Sequence, residues 1–330
     1  MALTGHVVGK EVFELVRADL ERVEDVLVQQ TTSPARPITE ISRYLHGNGG
    51  KRLRPALVLL SARLCGYEGP AAVHLGAVVE LIHTSTLIHD DVIDESDTRR
   101  GHPSANVRWG NYVSVLAGDW LYMQAFKMTL AERNCRIQDL LTEVTQLMVE
   151  GELLQLNRLR KVDISVDDYL DLIHRKTACL FSACMRVGAI LGQRVSNEEM
   201  KLGSYGANLG LAFQLVDDML DFSSTKEKLG KPTGNDLREG KVTLPLIYLL
   251  RHCPAAEAWK VERVLSEGGF YSVRFAEILE LLRGCGALQS ARNKAREFAE
   301  IAKNCLTLFP ESPYKDALVS LTDLIVERES

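Results

Sequence analysis

Residues 71–94 read AAVHLGAVVELIHTSTLIHDDVID, an almost wholly apolar stretch that ends in three aspartates. Its apolar residues do not alternate with polar ones, and its length suits a helix far better than a strand. A helix that is apolar on most of its faces lies at the centre of a protein rather than on its surface. The stretch therefore predicts the central helix of a helical bundle.

The same helical pattern continues on both sides of this stretch. Further helices are predicted at 12–28, about 39–46, 55–64, 111–132, 137–160, 167–191 and 197–222, with shorter ones from 244 onward. A break rich in Lys, Gly and Pro covers 223–241, and no run of strict alternation predicts a strand. Because no change in composition marks a linker, we expect one all-α domain over residues 1–330, a large bundle of ten or more helices.

The composition excludes several classes of protein. The chain has 330 residues, of which 46% are hydrophobic and 25% charged, as in an ordinary globular protein and unlike a disordered one. Its net charge of −5 gives no basic field for nucleic acid. The seven cysteines are scattered without a C-x-x-C pair, so a reducing cytosol is expected. With no signal peptide and no uninterrupted apolar run of about 18 residues, we expect a cytoplasmic protein without a transmembrane segment.

Two Asp-Asp-x-x-Asp motifs, beginning at residues 90 and 217, each end a long apolar helix. Carboxylates one helical turn apart repel each other unless a cation neutralises them, and oxygen ligands suit a hard ion such as Mg²⁺. One such motif alone is equally well explained as a solvated helix end. Two can face each other across a bundle core, where carboxylate metal sites are built. The predicted metal site draws on Asp90, Asp91, Asp94, Asp217, Asp218 and Asp221.

Basic residues form a third group. The segment GGKRLRP at 49–55 joins a flexible turn to three cations, and Arg99-Arg100-Gly101 follows the first acidic motif. Lys176-Thr177 stands in an apolar context, and Lys231 and Lys241 lie in the long break. Surface cations are normally just solvated, but Arg beside a Gly-rich turn suits multidentate binding of phosphate oxygens. Acids for metal and separate cations together imply two anionic groups, one held through metal and one held directly.

Two polar residues near the acidic motifs allow two interpretations each. His83 lies two helical turns before Asp90, so it either points into the same cavity or is a hydrogen-bonded core histidine. Gln214, three residues before Asp217, either contacts a substrate or bonds a neighbouring helix. No nucleophile arrangement and no phosphate-binding G-x-x-x-x-G-K-[ST] loop occurs, and no strand precedes the glycines at 47–50 as a dinucleotide fingerprint requires.

Taken in order, these motifs resemble those of the trans-isoprenyl diphosphate synthase (polyprenyl synthetase) family. The matching segments lie between Gly49 and Pro245: GGKRLRP, DDVIDESDTRRG, GD at 118–119, KT at 176–177, QLVDDMLD and KPTGNDLREGKVTLP. The resemblance implies an isoprenoid-synthase bundle with a central catalytic cavity, and a homodimer. It is strongest to the long-chain octaprenyl and solanesyl types.

The resemblance also implies roles for individual residues. The site for isopentenyl diphosphate would comprise Lys51, Arg54, His83 and Arg100. Contacts to the allylic diphosphate would come from Arg99, Lys176, Thr177, Gln214, Lys231 and Lys241. The Mg²⁺ ligands would be Asp90, Asp94 and Asp217, with Asp91, Asp218 and Asp221 in direct or water-mediated support. The family binds three Mg²⁺ ions in each active site.

The implied reaction is a prenyl transfer. The allylic diphosphate ionises, the double bond of isopentenyl diphosphate attacks the cation, and the departing diphosphate removes a proton. Three alternatives remain: a short-chain synthase, a class I terpene cyclase and the regulatory subunit of a heteromeric synthase. A cyclase would not need the isopentenyl site and usually has a different second metal motif, whereas regulatory subunits typically lose an Asp motif.

Ser85 and Thr86 bear on product length. They lie one turn before Asp90, where short-chain members of the family carry bulky aromatic residues. Because both side chains are small, we expect a deep cavity and a product of about thirty to forty-five carbons, such as a quinone side chain. The alternative is that both hydroxyls only cap backbone carbonyls in a tightly packed helix.

Overall fold

The computed structural model describes residues 12–47, 49–223 and 233–328, which are predominantly helical. Two long helices carry the acidic motifs at their C-terminal ends, and the remaining helices pack around them. The helices are α1 (Arg17–Gln30), α2 (Arg36–Gly47), α3 (Leu53–Leu64), α4 (Ala71–Ile93), α5 (Ala105–Trp109), α6 (Asn111–Ala131), α7 (Cys135–Arg158), α8 (Val166–Ile173), α9 (Cys179–Leu191), α10 (Ser196–Ser223), α11 (Asn235–Arg238), α12 (Leu244–His252), α13 (Ala255–Glu267), α14 (Phe275–Gly284), α15 (Ala287–Cys305) and α16 (Pro313–Val326).

Helix α4 is the predicted central helix. It packs against α1, α3 and α6, and Leu75, Val78 and Leu81 on it are completely buried. By length and composition alone it could cross a membrane, which the sequence argument missed because His74 and Glu80 interrupt its apolar runs. However, 72% of that stretch is buried inside the protein, so α4 is a core helix.

Helix α10 connects two hydrophobic clusters. Its first half contributes Leu202 and Leu209 to a cluster with α3, α4 and α9, and its second half contributes Leu215 and Phe222 to a cluster with α12 and α14. Helix α15 also takes part in both clusters. The single-domain organisation stays a prediction, which this sharing of α10 and α15 supports.

Helices α9 and α10 approach each other backbone to backbone. A Cβ atom placed on Gly206 would lie 2.4 Å from the carbonyl oxygen of Phe181, so no larger residue fits there without a shift. A Cβ atom on Gly210 would similarly lie 2.7 Å from the Cα atom of Ala178. This contact fixes the distance between the helix that carries Asp217 and the segment that carries Lys176.

Three local features differ from the sequence prediction. The helix predicted at 167–191 is interrupted by a single π-helical turn, His174–Ala178. The first helix, predicted at 12–28, is broken by a turn at 15–16, so α1 begins only at Arg17. A two-stranded hairpin, β1 (Thr98–Arg99) and β2 (His102–Pro103), follows the first acidic motif.

The hairpin has a local cause. Its two loop residues, Arg100 and Gly101, both have positive φ angles, of 53° and 79°. Two successive positive φ angles are what the tightest hairpin turns require. Strands of two residues are too short to produce detectable alternation, so the sequence pattern could not reveal them.

Candidate active site

The first acidic motif ends α4, and its members have different environments. The Asp90 carboxylate makes no hydrogen bond or ion pair with any residue that the structure describes. Burial raises the pKa of Asp90 to about 6, although the nearby Lys176 ammonium lowers it. Asp91 is buried instead against Arg99, which donates to it from Nε at 2.8 and 2.9 Å. Asp91 therefore fixes Arg99, and only Asp90 of this adjacent pair keeps a free carboxylate.

The third member of this motif, Asp94, is paired with a distant lysine. Lys241 Nζ lies 2.9 Å from Asp94 and 2.6 Å from Glu239. Burial opposes the charge on Lys241, but the two carboxylates outweigh it and raise the pKa of Lys241 above its ordinary value. The segment that follows the second motif is thus fastened to the first motif by an ion pair.

The three carboxylates of the second motif, at the end of α10, also have different environments. Asp217 is 52% exposed and lies 3.5 Å from Arg328. Asp218 is buried and accepts hydrogen bonds from Tyr169 and Gln214. Asp221 accepts from the backbone N–H groups of residues 235 and 236, each at 3.1 Å, and so holds the start of α11. Burial and the Asp236 carboxylate raise the pKa of Asp221 to about 7.

Of the six aspartates, only Asp90 has no protein partner among the described residues, since Asp94 is paired with Lys241 and Asp217 lies near Arg328. The ligand set Asp90, Asp94 and Asp217 stays a prediction, and it requires a metal to compete with Lys241 for Asp94. The six aspartates do not all turn toward one point, because protein donors hold Asp91, Asp94, Asp218 and Asp221. Among the described residues, no three Asp, Glu, His or Cys side chains gather around one point as a complete ion site. The donors nevertheless fit Mg²⁺, which takes one or two carboxylates and completes its shell with waters and substrate phosphates.

The cations predicted for isopentenyl diphosphate come together beside this motif. Burial and the positive charge of Arg328 lower the pKa of Lys51 to about 8. Arg54 stacks over the Phe181 ring at 5.0 Å, and its buried Nε has no hydrogen-bond partner among the described residues. Burial, followed by the charges of Arg54 and Arg100, keeps the pKa of His83 well below its usual range, so this imidazole is neutral. A buried, neutral imidazole is compatible with both interpretations of His83, so its role stays a prediction.

The residues predicted for the allylic diphosphate lie on the π-helical turn and on α10. Lys176 Nζ is 2.5 Å from Glu152 on α7, and Glu152 in turn accepts a 3.0 Å hydrogen bond from Gln155. Thr177 donates to the Gln214 side-chain oxygen at 3.0 Å. Gln214 therefore bonds a neighbouring helical segment, as one of its two interpretations held. Lys231 lies outside the described residues.

Ser85 and Thr86 both donate hydrogen bonds to backbone carbonyls. Ser85 is completely buried and bonds the Gly118 carbonyl on α6 at 2.7 Å. Thr86 is partly exposed and bonds the carbonyl of His83 at 2.8 Å. This agrees with the capping alternative for both hydroxyls, but Thr86 still presents surface where a substrate tail could pass.

The structure adds residues that the motifs did not identify. Glu152 holds Lys176, Tyr169 holds Asp218, and Arg328 near the end of the chain reaches Asp217. Arg52, although part of GGKRLRP, is not available to substrate because it pairs with Glu24 and, at 2.9 Å, with Glu80. A sequence signal exists for Tyr169, which precedes Lys176 by two helical turns, but none exists for Arg328.

The all-α bundle, two acidic motifs and two groups of cations define a class of helical enzymes that act on diphosphates. The chain belongs to the polyprenyl synthetase family, whose model matches residues 35–282. It is a trans-prenyltransferase with the isoprenoid synthase fold, as the resemblance implied.

Individual relatives cover nearly the whole chain. Octaprenyl diphosphate synthase of Escherichia coli (strain K12) is 38% identical over 320 residues, 97% of this chain and 99% of that protein. A short-chain isoprenyl diphosphate synthase of Methanothermobacter thermautotrophicus is 35% identical over 97% of this chain and 99% of its own length. A polyprenyl synthase from Caulobacter crescentus, solved with calcium and isoprenyl diphosphate, is 37% identical with a TM-score of 0.94, covering 97% of this chain and 98% of that one.

Proposed function

We propose that this prenyltransferase is a Mg²⁺-dependent synthase of long-chain all-trans polyprenyl diphosphates, about thirty to forty-five carbons long. Its product would serve as a quinone side chain, and the enzyme would act in the cytoplasm. The observation that carries the proposal is the arrangement of charges at the ends of α4 and α10. Asp90 is buried without a protein partner among the described residues, Asp217 is about half exposed, and separate groups of cations lie near the two motifs. Two diphosphates require two such groups.

The isopentenyl diphosphate group would be bound by Lys51, Arg54 and Arg100 on the N-terminal side of the site. This substrate does not ionise, so its diphosphate needs steady binding rather than stabilisation of developing charge. The Nε of Arg54 has no hydrogen-bond partner among the described residues, and burial and Arg328 lower the pKa of Lys51 despite the nearby Asp217 carboxylate, so both groups could accommodate a further anion. A diphosphate would supply it.

The allylic diphosphate would lie between Asp90, Asp217 and Lys176. Mg²⁺ held by Asp90, Asp94 and Asp217 would neutralise the negative charge of the leaving diphosphate. Lys176 adds a fixed positive charge that is most effective when the C–O bond is breaking. Apolar helices around the site keep water away from the allylic cation. No protein base is required, since the departing diphosphate accepts the proton.

A long product needs room beneath Asp90. The small side chain of Thr86 leaves its part of the α4 surface partly exposed. The high identity to an octaprenyl synthase also supports the long-chain proposal. The second candidate is a short-chain synthase, which the comparable identity to a short-chain relative favours.

A homodimer is supported by an apolar stripe on the outer faces of α6 and α7. On α6, Tyr112, Leu116 and Met123 are 90%, 67% and 63% exposed. Their spacing of four and seven residues places them on one face of the helix, and Leu153 on α7 adds to it. Large apolar side chains in such a continuous row mark a protein–protein interface.

The test is an assay with labelled isopentenyl diphosphate and farnesyl diphosphate, with products resolved by length. We expect products of about thirty to forty-five carbons, loss of activity in EDTA and recovery with Mg²⁺. Asp90→Asn should lower turnover by about a thousandfold, whereas Asp25→Asn, an exposed acid on α1, should leave it unchanged. Full activity in EDTA would contradict the metal role, and products that stop at fifteen or twenty carbons would favour the short-chain candidate.

A further inference from the structure

Tyr169 on α8 is a buried tyrosine whose hydroxyl group has a specific partner. It donates a hydrogen bond to Oδ2 of Asp218, the middle aspartate of the second motif. Tyr169 is only 2% exposed, so the bond is protected from water. A buried polar group that loses its hydrogen-bond partner costs the full penalty of its desolvation, so the two groups are strongly favoured to stay paired. The bond therefore ties α8 firmly to α10.

The Asp218 carboxylate continues this link toward the site. Its other oxygen, Oδ1, accepts from Gln214 Nε2 at 2.8 Å. The Gln214 side-chain oxygen in turn accepts from Thr177 Oγ1 at 3.0 Å. Tyr169, Asp218, Gln214 and Thr177 thus form one connected chain, and both ends of the Gln214 amide are occupied. These four hydrogen-bonded residues make up the Tyr169 network.

The Tyr169 network joins the two segments that carry the allylic-site charges. At one end Thr177 is on the π-helical turn, next to Lys176. At the other end Asp218 is on α10, next to Asp217. Because both Asp218 oxygens already contact protein groups, Asp218 serves this link rather than the substrate.

We propose that Tyr169 is a positioning residue of the allylic site: through Asp218 and Gln214 it sets where Lys176 lies relative to Asp217. The inference rests on the proposed allylic role of Lys176. A change of about 1 Å in the placement of a charged group is enough to reduce catalysis greatly. The residues predicted for isopentenyl diphosphate lie just before α3, on α3, on α4 and in the hairpin turn, and none is a member of the network. The KM for that substrate should therefore change little when the network is lost.

The test compares two tyrosine variants of the full chain by steady-state kinetics and thermal unfolding. Tyr205 is the matched control, because it is also a buried tyrosine and donates a 2.8 Å hydrogen bond, to the Leu318 carbonyl far from the motifs. Tyr169→Phe should lower kcat/KM for farnesyl diphosphate about tenfold and leave the KM for isopentenyl diphosphate within about twofold. Tyr205→Phe should destabilise the protein comparably with unchanged kinetics.

A second variant keeps the test decisive if Tyr169→Phe does not fold. Asp218→Asn retains the size of the side chain but presents an amide group that cannot accept from both Tyr169 and Gln214. It should show the same selective loss, and the double variant should lose no more than the more impaired single variant. Equal loss for both substrates, or kinetics like those of Tyr205→Phe, would overturn the inference.

Lys176→Ala separates failure of this inference from failure of the proposed site. If Lys176→Ala lowers use of farnesyl diphosphate while Tyr169→Phe and Asp218→Asn do not, only the positioning role is wrong. If Lys176→Ala itself has no effect, the proposed allylic site is wrong and the inference is overturned with it.

Discussion

Replacing Lys51 with Met should make the protein more stable and less active. Lys51 is partly buried beside Arg328 and Arg100, whose charges together with burial outweigh the attraction of the Asp217 carboxylate. Its side chain is therefore kept charged at neutral pH against an opposing environment. Lys51→Met preserves much of the side-chain volume and removes the charge. The folded state then no longer bears the free-energy cost of keeping the Lys51 ammonium charged.

The magnitude follows from the proton affinity of Lys51. Its pKa falls from an ordinary 10.5 to about 8 in the folded chain. A tenfold change in proton affinity corresponds to about 1.4 kcal/mol, and solvent screens a charge that is only partly buried, so the charged form is disfavoured by about 1–2 kcal/mol. Below pH 8 Lys51 is charged in both the folded and the unfolded protein, so this cost is fully present. Between pH 8 and 10.5 only the folded protein loses the proton, and the stability of the wild type rises toward that of the variant.

Urea unfolding of both proteins from pH 7 to 10.5 tests this reasoning. Lys51→Met should be more stable at pH 7, with a difference that shrinks above pH 8, and its KM for isopentenyl diphosphate should be raised. Lys201→Met is the control, because Lys201 is exposed on α10 and its removal should change stability little. A Lys51→Met variant that is no more stable than the wild type at pH 7 would refute this reasoning. So would a difference in the free energy of unfolding that does not change with pH.

Two further predictions follow from the same contacts. Arg328→Ala should raise the pKa of Lys51, because the Arg328 charge lowers it. The alkaline limb of the pH profile of kcat/KM for isopentenyl diphosphate should then move to higher pH, and an unchanged limb would contradict the coupling. Thr86→Phe should shorten the product, whereas Ser85→Phe should mainly destabilise the fold because Ser85 is enclosed against Gly118. An unchanged length distribution in Thr86→Phe would show that the tail does not pass this face.

The sequence predicted the central helix and the helix that carries the second acidic motif well, since both rest on local patterns. Residues 71–94 were predicted as one helix, and α4 spans Ala71–Ile93. The helix predicted at 197–222 corresponds to α10, Ser196–Ser223. Runs of more than twenty residues with one period leave little doubt about element type, so only the boundaries shift by one or two residues.

The partners of each charge could not be predicted, because they depend on contacts between distant segments. Asp90 and Asp91 are neighbours with the same chemistry, yet only Asp91 is held by Arg99. Lys241 meets Asp94, and Arg328 meets Asp217, across separations that no periodicity spans. The sequence identifies which residue types are available to a site, but the packing of the helices decides which carboxylates have a protein partner.

The π-helical turn at 174–178 can be described as an α-helical turn into which one residue has been inserted. Removing that residue would let α8 and α9 run on as one regular helix. The two flanks would then rotate by about 100° relative to each other. Helix α9 is buried along most of its length, whereas α8 buries only Tyr169 and Ile173, so α8 would turn. A one-residue deletion in this turn would thus leave the packing of α9 in place, but the rotation would carry the Tyr169 hydroxyl away from Asp218 and take Tyr169 and Ile173 out of the second hydrophobic cluster.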